Sequence, residues 1–163
     1  MLKDILKEYY DSVLNETDLY QKSKTLVNFL FKDIKDKEME PYIGHLERVS
    51  NKMSSEKGKI VGLLHDVVED TKITLEDLKK LGYTDNIIVA VDIVSKRQEE
   101  DYDTYIDRVI SSGNTIALEL KKCDLEDNMD PKRLSKLDKD TKERLEKKYK
   151  KAYERIINGL KER

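Results

Sequence analysis

Apolar residues recur at three- and four-residue spacing along almost the whole chain, and alternating polar–apolar runs are nearly absent. That period matches the turn of an α-helix rather than the pleat of a strand, so the pattern predicts an all-α bundle. Leu2, Ile5, Leu6, Tyr9 and Val13 mark a first helix, and Leu19, Leu26, Phe29, Leu30 and Ile34 a second. After Pro41, a third carries Ile43, Leu46, Val49 and Met53. Residues 59–69 predict a buried central helix, and Thr74 with Asp77 reads as a capping box at the start of a short one that Gly82 ends. Further helices are expected over 84–95, from Tyr102 to Ile110, and from an Asn114 cap to Asn128, with Pro131 as the stop. Residues 96–103 and 132–140 read as polar loops, and 141–162 as a long amphipathic helix.

With 163 residues, the chain is long enough for one domain that buries roughly 70% of its unfolded surface. We read residues 1–163 as a single unit, without repeats or an interdomain linker. Lys and Arg number 32 against 34 Asp and Glu, a net charge of −2. That balance gives no reason to expect nucleic-acid binding or attraction to a membrane surface, and no apolar run approaches the length of a bilayer span. One cysteine, Cys123, excludes an intramolecular disulfide, and the amphipathic start "MLKDILKEYY" has no signal-peptide core. A cytoplasmic protein is expected. Nothing in the pattern sets an oligomeric state.

The stretch "GLLHDVVEDT", residues 62–71, breaks the simple logic of the bundle. Gly62, Leu63, Leu64, Val67 and Val68 read as core, yet His65, Asp66, Glu69 and Asp70 share the segment. Burying charge costs several kcal/mol unless a partner offsets it. On a continuous helix His65 would stand over Glu69 and Asp66 over Asp70. The other histidine, His45, falls in the preceding helix "YIGHLERV", while Asp124 and Asn128 are four apart in "KKCDLEDNMDP". Taken singly, a histidine beside leucines reads as a core residue, and Glu126 and Asp127 read as exposed. Taken together, two imidazoles and two carboxylates from three helices make a site for a divalent ion with positions left for water.

The order of these residues resembles the HD-domain phosphohydrolase superfamily: a lone histidine, a His-Asp doublet, then a later aspartate. "LLHDVVEDT", with "PYIGH" and "KKCDLEDNM", is similar to the hydrolase domain of the Rel/SpoT alarmone family and its small free-standing relatives. The resemblance runs from about Lys37 to Met129. It implies a compact HD-type helical bundle in which His45, His65, Asp66 and Asp124 hold a metal, Mn²⁺ first, with Fe²⁺ or Zn²⁺ as possible occupants. It further implies that Glu69 and Asp70 handle the attacking water. Asn128 and Lys37 would contact a nucleotide substrate, and Lys121 and Arg48 are weaker candidates for phosphate contact.

The departures all fall in the substrate pocket. Asp36 stands where the family has an arginine that stacks on guanine, Met39 replaces a glycine, Leu46 a proline, and Pro131 a hydroxyl residue. A carboxylate cannot stack as a guanidinium does. An Asp36→Arg exchange is therefore expected to favour guanosine tetraphosphate. The implied activity is metal-dependent hydrolysis of a nucleotide phosphate or pyrophosphate ester, with guanosine 3′,5′-bis(diphosphate) 3′-pyrophosphohydrolase as the leading reading. The alternatives are a phosphatase of another nucleotide or phosphate ester, and a non-catalytic nucleotide-binding module. Intact Glu69 and Asp70 speak against the module, since a binder needs no water-handling pair.

Overall fold

Most of the helices begin on a side chain that caps them. Asp18 accepts from the amides of Tyr20 and Gln21, Ser55 from Gly58, Asp101 from Thr104, Asn114 from Ala117 and Asp138 from Thr141. Thr74 and Asp77 form the reciprocal capping box that their spacing implies. Each cap satisfies amides that the helix leaves free and contributes about 1 kcal/mol.

In this computed structural model, which describes residues 1–163, the helices run in order as α1 (Leu2–Leu6), α2 (Tyr10–Asn15), α3 (Leu19–Leu30), α4 (Tyr42–Lys52), α5 (Glu56–Leu64), α6 (Val67–Asp70) and α7 (Leu75–Lys80). They continue as α8 (Asp85–Val94), α9 (Tyr102–Ser111), α10 (Thr115–Asn128), α11 (Pro131–Leu134) and α12 (Lys139–Lys161). There is no strand, only an isolated bridge between Lys35 and Pro41. No helix is long and apolar enough to cross a membrane.

Four boundaries differ from the sequence reading. The first helix breaks at Lys7, which adopts a φ of 51°. The second stops at Leu30, so Ile34 lies in a turn with 47% of its surface exposed. Pro131 does not stop α10 directly. It opens α11, where a missing N–H costs nothing, and Leu134 of that helix is buried. Most consequentially, the helix expected over 59–69 starts earlier and is interrupted at His65 and Asp66. His65 Nδ1 donates to the carbonyl of Gly62 at 2.7 Å. In a continuous helix that carbonyl would take the amide of Asp66. Asp66 instead sits at φ −102°, ψ 0°, and α6 restarts from it.

Two apolar clusters meet on α10. The larger joins α1 to α8 with Ala117, Leu120 and Cys123; the smaller joins α9 and α12 with Leu118 and Leu125. α10 is thus apolar on opposite faces, and its polar residues have little open water left to face. Lys121, Asp124 and Asp127 are all buried as a result. Close approach of α4 and α5 adds to the confinement. A Cβ on Gly62 would lie 2.7 Å from the Cα of Ser50, so only glycine permits that crossing.

Candidate metal centre and cleft

α4, the α5–α6 junction and α10 bring His45, His65 and Asp124 together, with ligand atoms all within 4.8 Å of one another. Asp124 Oδ1 stands 3.0 Å from His45 Nε2 and 3.4 Å from His65 Nε2. Asp66 Oδ2 lies 3.2 Å from the same nitrogen of His65. Asp66, although expected with the other three, groups instead with Glu69 and Asp70, and these carboxylates crowd the mouth of the site. Tyr42, three residues before His45 and on its face of α4, donates to Asp66 Oδ2 at 2.6 Å.

The donor set fits a divalent ion. His65 Nδ1 can only donate to the Gly62 carbonyl, which leaves the lone pair on Nε2, a buried atom with no hydrogen-bond partner. His45 Nδ1 pairs with Asp127 Oδ2 at 2.6 Å, so its Nε2 likewise faces carboxylate. Lone pairs pointed at carboxylates demand a cation between them. The protons bear this out: burial disfavours the charged form of His65, yet Asp66 and Asp124 hold its pKa well above the ordinary value. A metal on both Nε2 atoms meets the same demand. Two nitrogens with carboxylate oxygens suit Mn²⁺, Fe²⁺ or Zn²⁺, and a second hydrogen bond on each ring fixes its tautomer.

Asp127 corrects the sequence reading, which left it exposed: 2% of its surface is accessible. Besides His45 it accepts from Arg48 Nε at 2.7 Å and Arg133 Nη1 at 2.7 Å. Burial alone would raise its pKa, but these cations hold the carboxyl well below the usual range. Its spacing of three from Asp124 was the available signal, since residues three apart share a helix face. Glu126, also read as exposed, is half-buried and accepts a hydrogen bond from the Tyr153 hydroxyl at 2.8 Å. Arg48 is held by Asp127 and is no free phosphate ligand.

A cleft of about 340 Å³ opens from the metal centre and is lined by every candidate residue named from the sequence except Arg48. Lys121, a weaker candidate for phosphate contact in the sequence, is buried with Nζ 2.8 Å from Asp124 Oδ2. Asn128 Nδ2 is 3.4 Å from Asp124 Oδ1, and Lys37 sits exposed at the rim. Glu69 Oε1 accepts the amide of Lys96 at 2.7 Å. Partial withdrawal from water, then the charges of Asp66 and Glu69, push Asp70 up to about 7.

Sequence reasoning missed Arg133 entirely. Its Nη2 lies 3.1 Å from both Asp36 Oδ2 and Glu38 Oε2, while Nη1 reaches Asp127 and, at 3.3 Å, Asn128 Oδ1. The guanidinium thereby ties the 35–41 loop to α10. Asp36 is a fastening of that loop, accepting the amides of Glu38 and Glu40 at 3.0 and 2.9 Å, with its charge neutralised by Arg133. The expected gain from Asp36→Arg is withdrawn, because the new side chain would drop both amides and meet Arg133. Met39, where the related pattern has glycine, holds a φ of 65°.

No protein-family model matches the sequence, and no curated protein matches it. Among solved structures the fold is shared with one described as a metazoan ortholog of SpoT that hydrolyzes ppGpp and plays a role in starvation responses. The TM-score is 0.68, over 89% of this chain and 86% of that one, at 20% sequence identity. The likeness is one of fold: an all-helical bundle of the kind a SpoT-type hydrolase adopts.

Proposed function

We propose that this chain is a divalent-metal-dependent phosphohydrolase that cleaves a phosphate or pyrophosphate ester of a nucleotide. The leading substrate is guanosine 3′,5′-bis(diphosphate), cut at its 3′-pyrophosphate. The observation that carries the proposal is the buried, partnerless Nε2 of His65, aimed between Asp66 and Asp124. The ppGpp hydrolysis described for the structural neighbour supports the same reading.

When bound by His45, His65, Asp66 and Asp124, the ion, Mn²⁺ first, supplies Lewis acidity towards a phosphoryl oxygen and acidifies water. Asp70 and Glu69, at the mouth, orient the attacking water and take its proton. Water oxygen bonds to phosphorus, the ester oxygen departs, and the proton returns to it. Lys121 and Asn128 border Asp124 and hold phosphoryl oxygens beside the metal, and Lys37 holds the substrate at the rim. Tyr42, donating to Asp66, keeps that carboxylate from turning away.

A second reading, a phosphatase of other nucleotides, draws on Asp36. Because Asp36 is spent on its own loop, position 36 itself offers no cation for stacking on guanine, and the Arg133 guanidinium beside it is already held by Asp36, Glu38 and Asp127. One experiment tests both. Protein loaded with Mn²⁺ is offered a panel of nucleotide phosphates and pyrophosphates while released phosphate and pyrophosphate are measured. Pyrophosphate from guanosine 3′,5′-bis(diphosphate) is expected. Release from none of the panel, with Mn²⁺, Fe²⁺ or Zn²⁺ alike, would overturn both.

A further inference from the structure

Glu69 is held at the cleft mouth by a backbone amide. The N–H of Lys96 donates to its Oε1 at 2.7 Å, and that N–H belongs to the Ser95–Lys96 peptide at the end of α8. The carbonyl of the same peptide is gripped from the other side. Ser95 oxygen accepts from Arg97 Nη1 at 2.6 Å and from Arg108 Nη2 at 3.0 Å. A trans peptide is planar, with its C=O and N–H pointing in opposite directions. Whatever fixes the carbonyl therefore also fixes the line along which the amide meets Glu69.

The grip comes from α9. The last carbonyls of α8 have no helical partner and need donors. Arg108 gives Nη1 to Ile93 oxygen at 2.9 Å as well as Nη2 to Ser95 oxygen, and the Tyr105 hydroxyl donates to Val94 oxygen at 2.6 Å. Glu100 holds the guanidinium in its plane, accepting from Nε and Nη2 of Arg108 at 2.8 and 3.0 Å. It also accepts the amide of Arg97 at 3.0 Å. Of the two arginines Arg108 is the firmer anchor, with 29% of its side chain exposed against 43% for Arg97. Helix capping alone accounts for donors on these carbonyls, but not for a carboxylate on the opposite end of the peptide. Cationic donors on the carbonyl polarise the peptide and strengthen its N–H as a donor to Glu69.

We infer that Arg108 is a positioning residue for the hydrolysis, acting on Glu69 through the Ser95–Lys96 peptide. The peptide holds Oε1 of Glu69 and leaves Oε2 for the attacking water. Arg108 itself does not line the cleft, so its influence on the reaction passes through that one peptide group. The inference rests on the phosphohydrolase reading and gives α9, which carries none of the proposed metal ligands, a part in the chemistry.

The test is a double-mutant cycle in Mn²⁺-loaded protein. Arg108→Met should lower kcat about tenfold, the scale of one charge-assisted hydrogen bond, with KM and metal content little changed. Against Glu69→Ala, where the positioned group is gone, the same exchange should change kcat by less than about twofold. Hydrogen exchange at the Lys96 amide, followed by NMR, reads the peptide directly. It should quicken about tenfold in Arg108→Met and in Glu69→Ala alike. Arg155→Met removes an ion pair with Asp103 and Asp107 of the same helix α9 and should leave both readouts in place. Arg108→Lys keeps the charge but cannot span three acceptors; it should act in the same direction and replaces Arg108→Met should that variant unfold in circular dichroism. Unchanged Lys96 exchange in the Arg108 variant, or a loss of kcat equally large with Ala at position 69, would overturn the inference and leave the hydrolase reading intact. Should the wild type hydrolyse no nucleotide while exchange at Lys96 behaves as expected, the hydrolase reading fails and the link from Arg108 to Glu69 stands.

Discussion

Asp127 Oδ2 lies 2.6 Å from Nδ1 of His45, closing a line from Arg133 and Arg48 through a buried carboxylate to an imidazole of the candidate metal centre. The carboxylate orients the ring and makes its Nε2 a better donor. Asp127→Asn keeps the shape but offers one acceptor oxygen to three donors. Mn²⁺ affinity should fall by about 10–100-fold, the usual cost of losing such a partner. Titration followed by Mn²⁺ electron paramagnetic resonance reads this directly. Unaltered affinity would make Asp127 merely an anchor for the two arginines.

Metal binding should be visible in stability, because the site forms only in the folded chain. At a free Mn²⁺ concentration a hundredfold above Kd, the folded state gains about 2.7 kcal/mol, or roughly 5–10 °C in Tm for a chain of this size. Differential scanning calorimetry with and without the ion measures the shift. His65→Ala should abolish it, as it removes the nitrogen left without any other partner. A shift that survives in His65→Ala would place the ion elsewhere.

Helical periodicity made the bundle legible, because burial of one face per helix is a local pattern. Capping at Thr74 and the end at Gly82 were legible for the same reason. The break at His65 was not. It depends on a side chain competing for the Gly62 carbonyl, in a segment whose apolar spacing continues unbroken. Among the site residues, His45, His65, Asp66 and Asp124 stood out through their order, a lone histidine, a His-Asp doublet and a later aspartate, which resembles the HD-domain pattern, and the structure brings His45, His65 and Asp124 together. Arg133 could not be, since its partners Asp36 and Glu38 stand nearly a hundred residues away and nothing local distinguishes it from other surface arginines.

Met39 holds a left-handed backbone with an exposed side chain in the loop that Arg133 fastens. That conformation costs an L-residue about 1–2 kcal/mol, and glycine carries no such penalty although its unfolded state is freer. Met39→Gly should therefore raise stability by up to about 1 kcal/mol, measured by urea unfolding. Destabilisation would show that Met39 contributes contacts outweighing its backbone strain.

Glu69 and Asp70 stand in the mouth of the cleft rather than between the histidines, so the proposed function gives them the water and not the ion. Glu69→Ala and Asp70→Ala should each lower kcat by about 10²–10⁴-fold while metal content stays near one ion per chain. Elemental analysis beside turnover distinguishes the roles. If Glu69→Ala empties the site as completely as His65→Ala does, Glu69 is a ligand.

Asp70 also makes the stability of the metal-free chain depend on pH. Withdrawal from water and the neighbouring carboxylates Asp66 and Glu69 lift its pKa from 3.8 to about 7 in the folded state. A raised carboxyl pKa means that the folded chain binds the proton more tightly than the unfolded one. The stabilising contribution is complete below pH 4 and disappears as pH rises through 7. Metal-free Asp70→Asn, which cannot acquire the charge, should then be more stable than the wild type at pH 8, with the difference closing towards pH 4. Solvent at the cleft mouth screens the repulsion, so the effect should be modest. Saturating Mn²⁺ should reduce it further, because the ion neutralises the carboxylates that Asp70 faces. Urea unfolding across this range, with chelator and with metal, supplies the comparison. A difference that grows on acidification would carry the opposite sign and show that Asp70 is stabilised as a carboxylate, paired with a cation rather than pressed against Asp66 and Glu69.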